Sequence, residues 1–343
     1  MNISRWRTRP VGRVCQVQTD LPLIPGFDAR GFAGPADFPA MVALINACNE
    51  ADGADERTTL AEIEVNYRNL DHSDPYTDMV MLERAGRLVA YTRAEWWQET
   101  AGPRVAIIWA HVHPAARGGE VIDSLFDWLE RRSREIAGDD PAVEKVFEGF
   151  ADAQTQPEIV AAYEARGYRP ITYVADMVRP HLEDVPAWSL PGGVEIRPVA
   201  ESHLRAIWEA DREAFRDHWG ASEPTESDYQ RFLEDPNRDV SLWKVAWAGD
   251  RVVSQVRSFI KPAENQVHGR GRGYTEAIST VRDFRRQGIA RSLICASFEE
   301  LKARGMTEAA LGVHTENPNG AFTLYEDLGF AVTHMSLVFR KPS

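Results

Sequence analysis

Eight consecutive residues, Arg285-Arg286-Gln287-Gly288-Ile289-Ala290-Arg291-Ser292, combine three cations with two small residues where one structural period gives way to another. The run before them, Ala277-Ile278-Ser279-Thr280-Val281, reads as a strand. After them, Ile289, Leu293, Ile294, Ser297, Phe298 and Leu301 recur on one face of a helix. Lys302-Ala303-Arg304-Gly305 ends that helix with basic residues and a glycine stop. A helix start offers free backbone N–H groups and the positive end of the helix dipole, which favour a phosphate or pyrophosphate. Gly288 has no Cβ and lets the backbone approach an anion closely. Ala290 is the next smallest choice. The same residues also fit an ordinary strand–turn–helix with a glycine turn.

A second pattern lies downstream. Ala309-Ala310-Leu311-Gly312-Val313 reads as a strand, and His314 to Asn319 as a polar loop. Gly320 to Leu328 reads as a short helix stopped by Gly329, with Tyr325 placed 37 residues after Gly288. Together the two patterns resemble the cofactor core of the GNAT superfamily of acetyl-CoA-dependent N-acetyltransferases. The resemblance implies that Arg285 to Ser292 binds the pyrophosphate of acetyl-CoA. It implies that backbone N–H groups at Ser279, Thr280 and Val281 polarise the thioester carbonyl. The second strand is expected to splay from its neighbour, with the pantetheine arm in the gap. Asn317 matches a cofactor-contacting residue, and Asn319 can substitute for it. Tyr325 matches the residue that donates to the departing sulfur. A tyrosine of pKa about 10 can donate to a thiolate of similar basicity. An aromatic on a short amphipathic helix is also an ordinary core residue.

Amine acetylation needs a group to take the ammonium proton, expected on the strand before the loop. Tyr274, Glu276 and Ile278 alternate onto one face. Glu276 is the only carboxylate of the three, nine residues before Arg285. Superfamily members carry an acid at this spacing, or two residues earlier, where this chain has Tyr274. The resemblance places acceptor recognition near Asp211, Glu213, Phe215, His218 and Trp219. The run His268-Gly269-Arg270-Gly271-Arg272-Gly273 is expected to be a mobile loop beside the acceptor cleft, since no P-loop Lys-Ser/Thr follows it. Trp96, Trp97 and Trp109 read as core.

The elements that must position these residues occur twice. In the first half, helices are expected over Pro39 to Asn49 and Leu60 to Asn69. Strands are expected at Met79 to Leu82, Arg87 to Tyr91 and the apolar run Val105 to Val112. A Gly-containing loop and helix follow, and Tyr163-Glu164-Ala165-Arg166-Gly167-Tyr168 repeats the later Tyr-Glu-x-x-Gly-aromatic ending. The second half repeats the order from Val194. In matching register Glu120 replaces Gly288 and Ile122 replaces Ala290. A carboxylate there repels a pyrophosphate, and its Cβ blocks close approach. Gly118 and Gly119 leave a differently built loop open. The expected plan is a degenerate GNAT-like domain over 1–179, a Pro/Gly-rich linker over 180–193 and a catalytic GNAT domain over 194–343. The fold class is mixed α/β, each domain a mostly antiparallel mixed sheet flanked by helices. This layout resembles that of the mycothiol synthases, although their substrate residues are not recognisable here.

The chain has 343 residues, of which 43% are hydrophobic and 27% charged, as expected of a soluble two-domain protein. No run approaches the roughly 18 apolar residues of a membrane helix. Met1 to Pro10 carries three arginines without an apolar core, so no secretory signal is expected. Cys15, Cys48 and Cys295 are odd in number and widely spaced, which suggests neither a disulfide framework nor a metal site. These features point to the cytoplasm. A net charge of −13 argues against nucleic-acid binding and is compatible with a cationic acceptor. The leading expectation is acetyl transfer from acetyl-CoA, without a metal, to a primary amine of a small molecule such as an amino sugar or an aminoglycoside-like metabolite. Acetylation of a cysteinyl amine is the second. A non-catalytic acyl-CoA sensor is the third, and Glu276 and Tyr325 argue against it. Nothing in the pattern sets an oligomeric state or an acyl chain length.

Overall fold

The computed structural model describes residues 24–315 and 320–343. The first half contains β1 (Asp28–Arg30), α1 (Phe38–Ala51), α2 (Leu60–Arg68), β2 (Met79–Arg84), β3 (Arg87–Arg93), β4 (Trp96–Gln98) and β5 (Arg104–Ile107). It continues with β6 (His111–Val112), α3 (Gly119–Ala137), β7 (Lys145–Asp152), α4 (Pro157–Ala165) and β8 (Arg169–Arg179). The second half contains β9 (Glu195–Arg197), α5 (Leu204–Phe215), α6 (Glu226–Glu234), β10 (Lys244–Ala248), β11 (Arg251–Ile260) and α7 (Pro262–His268). It ends with β12 (Arg272–Thr280), α8 (Ile289–Ala303), β13 (Glu308–His314), α9 (Ala321–Asp327) and β14 (Ala331–Pro342). Local chemistry sets several boundaries. α2 and α6 each begin with a capping box, Thr59 with Glu62 and Thr225 with Asp228, which satisfies the otherwise orphaned first-turn N–H groups.

Two sheets form. One is four-stranded, in the order β1-β2-β3-β6. The other runs through both halves in the order β4-β5-β7-β14-β8-β13-β12-β11-β10-β9. The apolar run Val105 to Val112, read as one stretch, divides between the sheets. β5 joins the larger one and β6 pairs with β3, because the chain crosses from one sheet to the other around Ile108 to Ala110.

The last strands of the two halves are exchanged. β8 pairs antiparallel with β13, from Ala309 opposite Arg179 to His314 opposite Val174. β14 pairs with β7, from Ser336 opposite Asp152 to Pro342 opposite Val146. β8 and β14 also pair with each other. The cores follow the strands. Ala175 and Met177 of β8 pack with Leu293 and Phe298 of α8, while Phe339 of β14 packs with Phe147 and Tyr163 of the first half. Each fully buried side chain of this size contributes roughly 1.5–3 kcal/mol relative to exposure.

Polar contacts join the halves elsewhere. Arg68 pairs with Glu234 at 3.0 Å, and the Asn237 amide donates to Glu62 at 2.8 Å. Asp55, between α1 and α2, pairs with Arg270 at 2.7 Å and with Arg272. The run His268 to Gly273 therefore differs from the expected mobile loop. Arg270 also binds Glu264 at 2.8 Å and Arg272 binds Glu308 at 2.6 Å, so its arginines are neutralised and β12 begins within it.

Candidate active site

β12 and β13 are parallel, but they pair only from Arg272–Tyr274 to Glu308–Ala310. Beyond that point they part. Against its other neighbour, β12 carries a bulge, since Gln255 faces Ser279 and Arg257 faces Glu276, which sets Ala277 and Ile278 against Val256 alone. Ala277 lies inside the bulge with φ 48°, in the left-handed region that non-glycine residues rarely adopt. The extra residue breaks the alternation, so Ile278 does not continue the face of Tyr274 and Glu276 as the strict period predicts.

The parted strands open a cleft of about 890 Å³. Glu276, Thr280, Arg286, Gly288, Gly312 and Tyr325 are among its lining residues. The Gly312 N–H, which lost its strand partner where the sheet splits, donates to Glu276 Oε1 at 2.9 Å. Burial, with Asp176 adding to it, pushes the Glu276 carboxyl up to about 7, against the hydrogen bond from Gly312 and the charges of Arg257 and Lys261. Tyr274 is not available as a base. Its hydroxyl donates to Glu264, its ring stacks on Phe259 at 4.9 Å, and burial raises its pKa.

Tyr325 is 6% exposed, yet its hydroxyl makes no hydrogen bond within the described residues. Burial, with the charge of Glu276 adding to it, keeps that hydroxyl protonated well above the ordinary tyrosine range. Among the described residues the group is therefore a proton donor without a resident acceptor. Asn317 and Asn319 lie outside the described residues.

The loop between β12 and α8 is built to receive an anion. Gly288 is the N-cap of α8 with φ 79°, and no side chain caps the helix. A Cβ on Gly288 would meet nothing within 4 Å, so it would project into open space on the cleft side. The first helical bond runs from Ser292 N–H to Gly288 O at 3.0 Å, which leaves the N–H groups of Ile289, Ala290 and Arg291 ahead of the ladder. Arg286 has φ 64°, lines the cleft and forms no ion pair within the described residues. Alternating left-handed residues with free N–H groups form an anion-binding concavity.

Other loop residues serve the scaffold. Arg285 donates to Thr280 O at 3.1 Å and to Ala214 O at 2.8 Å, which ties the loop to β12 and α5. Arg291 pairs with Asp327 at 3.0 Å, linking α8 to α9. Gln287 donates to Asp283 O at 3.2 Å, and Ser292 Oγ donates to Ser189 O at 2.8 Å. Val281 is buried, and its N–H donates to Val253 O at 3.0 Å, so it is not a free carbonyl donor. Successive strand N–H groups point to opposite edges, so that of Thr280 faces the parted side, while Ser279 pairs toward β11.

Among the residues read as acceptor determinants, Phe215 and His218 line the cleft. Burial lowers the pKa of His218, with His314 and Arg285 reinforcing the shift. Asp211 is buried and paired with Arg257 at 2.9 Å and Arg212 at 2.8 Å, and Glu213 pairs with Arg251 at 2.7 Å. Trp219 lies 5.4 Å from His314. His314 and Val174 also line the cleft and were missed. His314 follows directly on a predicted strand end. Val174 belongs to the first half and carries no local signal.

Comparison with known proteins agrees with this architecture. Residues 204–330 match the acetyltransferase (GNAT) family model. Over 90% of its length the chain is 26% identical to a mycothiol acetyltransferase of Geodermatophilus obscurus, covering 95% of that protein. It is 25% identical to the mycothiol acetyltransferase of Streptosporangium roseum, over 91% of this chain and 98% of that one. A GCN5-related N-acetyltransferase from Sphaerobacter thermophilus superposes with a TM-score of 0.68 at 26% identity, covering 94% of this chain and 97% of its own. A tandem GNAT protein from the clavulanic acid pathway shares the fold, with a TM-score of 0.63 at 13% identity over 92% of this chain and 98% of its own. The chain carries a GNAT acetyltransferase domain within a tandem architecture, and it is an acetyltransferase.

Proposed function

We propose that this protein transfers an acetyl group from acetyl-CoA to a primary amine of a small molecule. The carrying observation is the Glu276 carboxylate, held by the Gly312 N–H in the cleft that the anion-ready start of α8 and the unpartnered Tyr325 hydroxyl also line. Acetyl-CoA supplies an activated thioester. The N–H groups of Ile289 to Arg291 and the guanidinium of Arg286 fit its pyrophosphate. The Thr280 N–H fits a carbonyl oxygen that gains negative charge. Glu276 binds the acceptor ammonium and takes its proton at a carboxylate oxygen, directly or through water. The Tyr325 hydroxyl then gives a proton to the thiolate, and its raised pKa keeps that proton in place until the sulfur departs. The domain division proposed with this reading places the chemistry in residues 194–343.

A cysteinyl amine is the second acceptor reading. It is favoured by similarity to two proteins named mycothiol acetyltransferase along nearly their whole length. The test is release of CoA thiol with a panel of amino sugars, aminoglycosides and cysteinyl amides. Turnover with one class identifies the acceptor. Tight acetyl-CoA binding without turnover on any amine would refute transferase chemistry on amines.

A further inference from the structure

The floor of the cleft continues past Glu276 onto a strand from the other half of the chain. Gly312 of β13 lies directly opposite Asp176 of the exchanged strand β8. A Cβ built on Gly312 would stand 3.8 Å from Asp176 Oδ1 and 3.9 Å from Glu276 Oε1. The two carboxylate oxygens therefore flank the same small space, and by the sum of those distances they lie within 7.7 Å of each other. No side chain stands between them, because Gly312 has none.

Val174 of β8 lines the cleft, and Asp176, two residues on, is exposed beside the cleft-lining Gly312; its carboxylate forms neither a hydrogen bond nor an ion pair within the described residues. Its neighbour across β14, His334, lies nearer another acid, Asp152, at 3.9 Å. The cations near Glu276 are engaged elsewhere. Arg257 binds Asp211 at 2.9 Å, and Lys261 lies 3.5 Å from both Glu56 and Glu62. Partial burial raises the Asp176 pKa, and the charges of Glu56, Asp55 and Asp152 raise it further, against His334. An unpaired carboxylate among other carboxylates is a place for a cation rather than for a neutral hydroxyl.

We propose that Asp176 binds a second ammonium group of the acceptor while Glu276 holds the amine to be acetylated, so that the substrate class is a diamine. This rests on the acetyltransferase reading above. It makes the first half of the chain a direct contributor to acceptor choice through one strand. Asp176 is a binding group rather than the base, so its loss should appear in KM, and kcat for a simple amine should hold at a pH above the Glu276 titration that its charge helps to raise.

The experiment compares 1,3-diaminopropane, 3-amino-1-propanol and propylamine on wild type and Asp176→Asn, by initial rates with acetyl-CoA and by calorimetry in the presence of CoA. The Asp176 side chain makes no hydrogen bond or ion pair among the described residues, so the variant should fold normally, which an unchanged Tm verifies. Wild type should bind the diamine at least about tenfold more tightly than either analogue, a typical gain for one charge-assisted contact. D176N should abolish that preference while leaving kcat for propylamine unchanged at pH 9, above the titration of Glu276. Equal affinities for the three amines in wild type, or a diamine preference that survives in D176N, would overturn the proposal even if all three are acetylated. Preferential diamine binding that depends on Asp176 without any turnover would leave this inference standing and refute the transferase reading instead.

Discussion

The hydroxyl of Tyr163 donates to the carbonyl oxygen of Ile108, where β5 and β7 stop pairing. Tyr163 occupies in the first half the position that Tyr325 occupies in the second. Its ring is fully buried against Phe126 and Phe339, and Gly149 leaves it the room. The gap between strands that forms the cleft in the second half is thus closed by a side chain in the first. Arg117 is likewise committed, to Asp52 and Glu158; the cap of α3 is the extended Gly118 where that of α8 is the left-handed Gly288, so Glu120 falls in the first turn of α3 and not at the cap where the sequence register sets it. Calorimetric titration should give one acetyl-CoA per chain. A stoichiometry of two, with the second site lost in Arg117→Ala, would show that the first half binds as well.

The elevated carboxyl of Glu276 predicts a pH profile. A base works in its deprotonated form, so kcat/KM should rise about tenfold per pH unit below about 7 and level off above it. Glu276→Gln should lower turnover by about 10²-fold or more and remove that limb, while acetyl-CoA affinity stays nearly unchanged. Stability should move the other way. A carboxyl whose folded pKa lies above its unfolded one stabilises the fold only while protonated, and that contribution is lost as pH rises through about 7. E276Q should therefore melt above wild type at pH 9, by up to about 3 kcal/mol, and match it near pH 4.

Two arginines of one loop should behave differently. Arg286→Ala should weaken acetyl-CoA binding roughly tenfold, with an effect that shrinks in high salt. Arg285→Ala should lower the Tm, because its guanidinium satisfies the Thr280 and Ala214 carbonyls. Gly288→Glu should abolish measurable binding, since it puts a carboxylate beside the pyrophosphate and a Cβ at φ 79°. Unchanged affinity in G288E would remove this loop from the cofactor site.

A fragment beginning at Val194 should be insoluble or strongly destabilised. It lacks β8, so β13 loses its antiparallel partner and the core around Phe298 loses Ala175 and Met177. Sedimentation and circular dichroism of the expressed fragment test this. A monomeric, folded and fully active fragment would show that β14 can replace β8 beside β13.

Local patterns carried much of the site into view. The anion loop and Tyr325 were readable because small residues, cations and helical periodicity lie within a few turns of one another. Glu276 was readable as the lone carboxylate of its strand, but the Ala277 bulge was not, because it arises from two-against-one pairing with a strand roughly twenty residues away in sequence. Arg285, Ser292 and Val281 read as binding residues by position, and the local pattern gave no sign of the tertiary partners that each also has. Asp176 was invisible for a related reason. Its importance comes from which strand lies beside β13, and strand order within a sheet leaves no mark on nearby residues.

The exchange of β8 and β14 also bears on how the chain is made. Synthesis proceeds from the N-terminus, and the strand that covers the edge of β7 emerges roughly 180 residues after β7 itself, since Ser336 pairs with Asp152 and Pro342 with Val146. Until then the first half displays an open sheet edge, and its aromatic cluster waits for Phe339. Pairing across such sequence distances is slow to close, and unpaired edges recruit other chains. Rapid expression should therefore favour aggregates seeded by the first half, and slower translation or a holdase should raise the soluble yield. The finished enzyme conceals a nascent chain whose first half stays sticky until the second has been made.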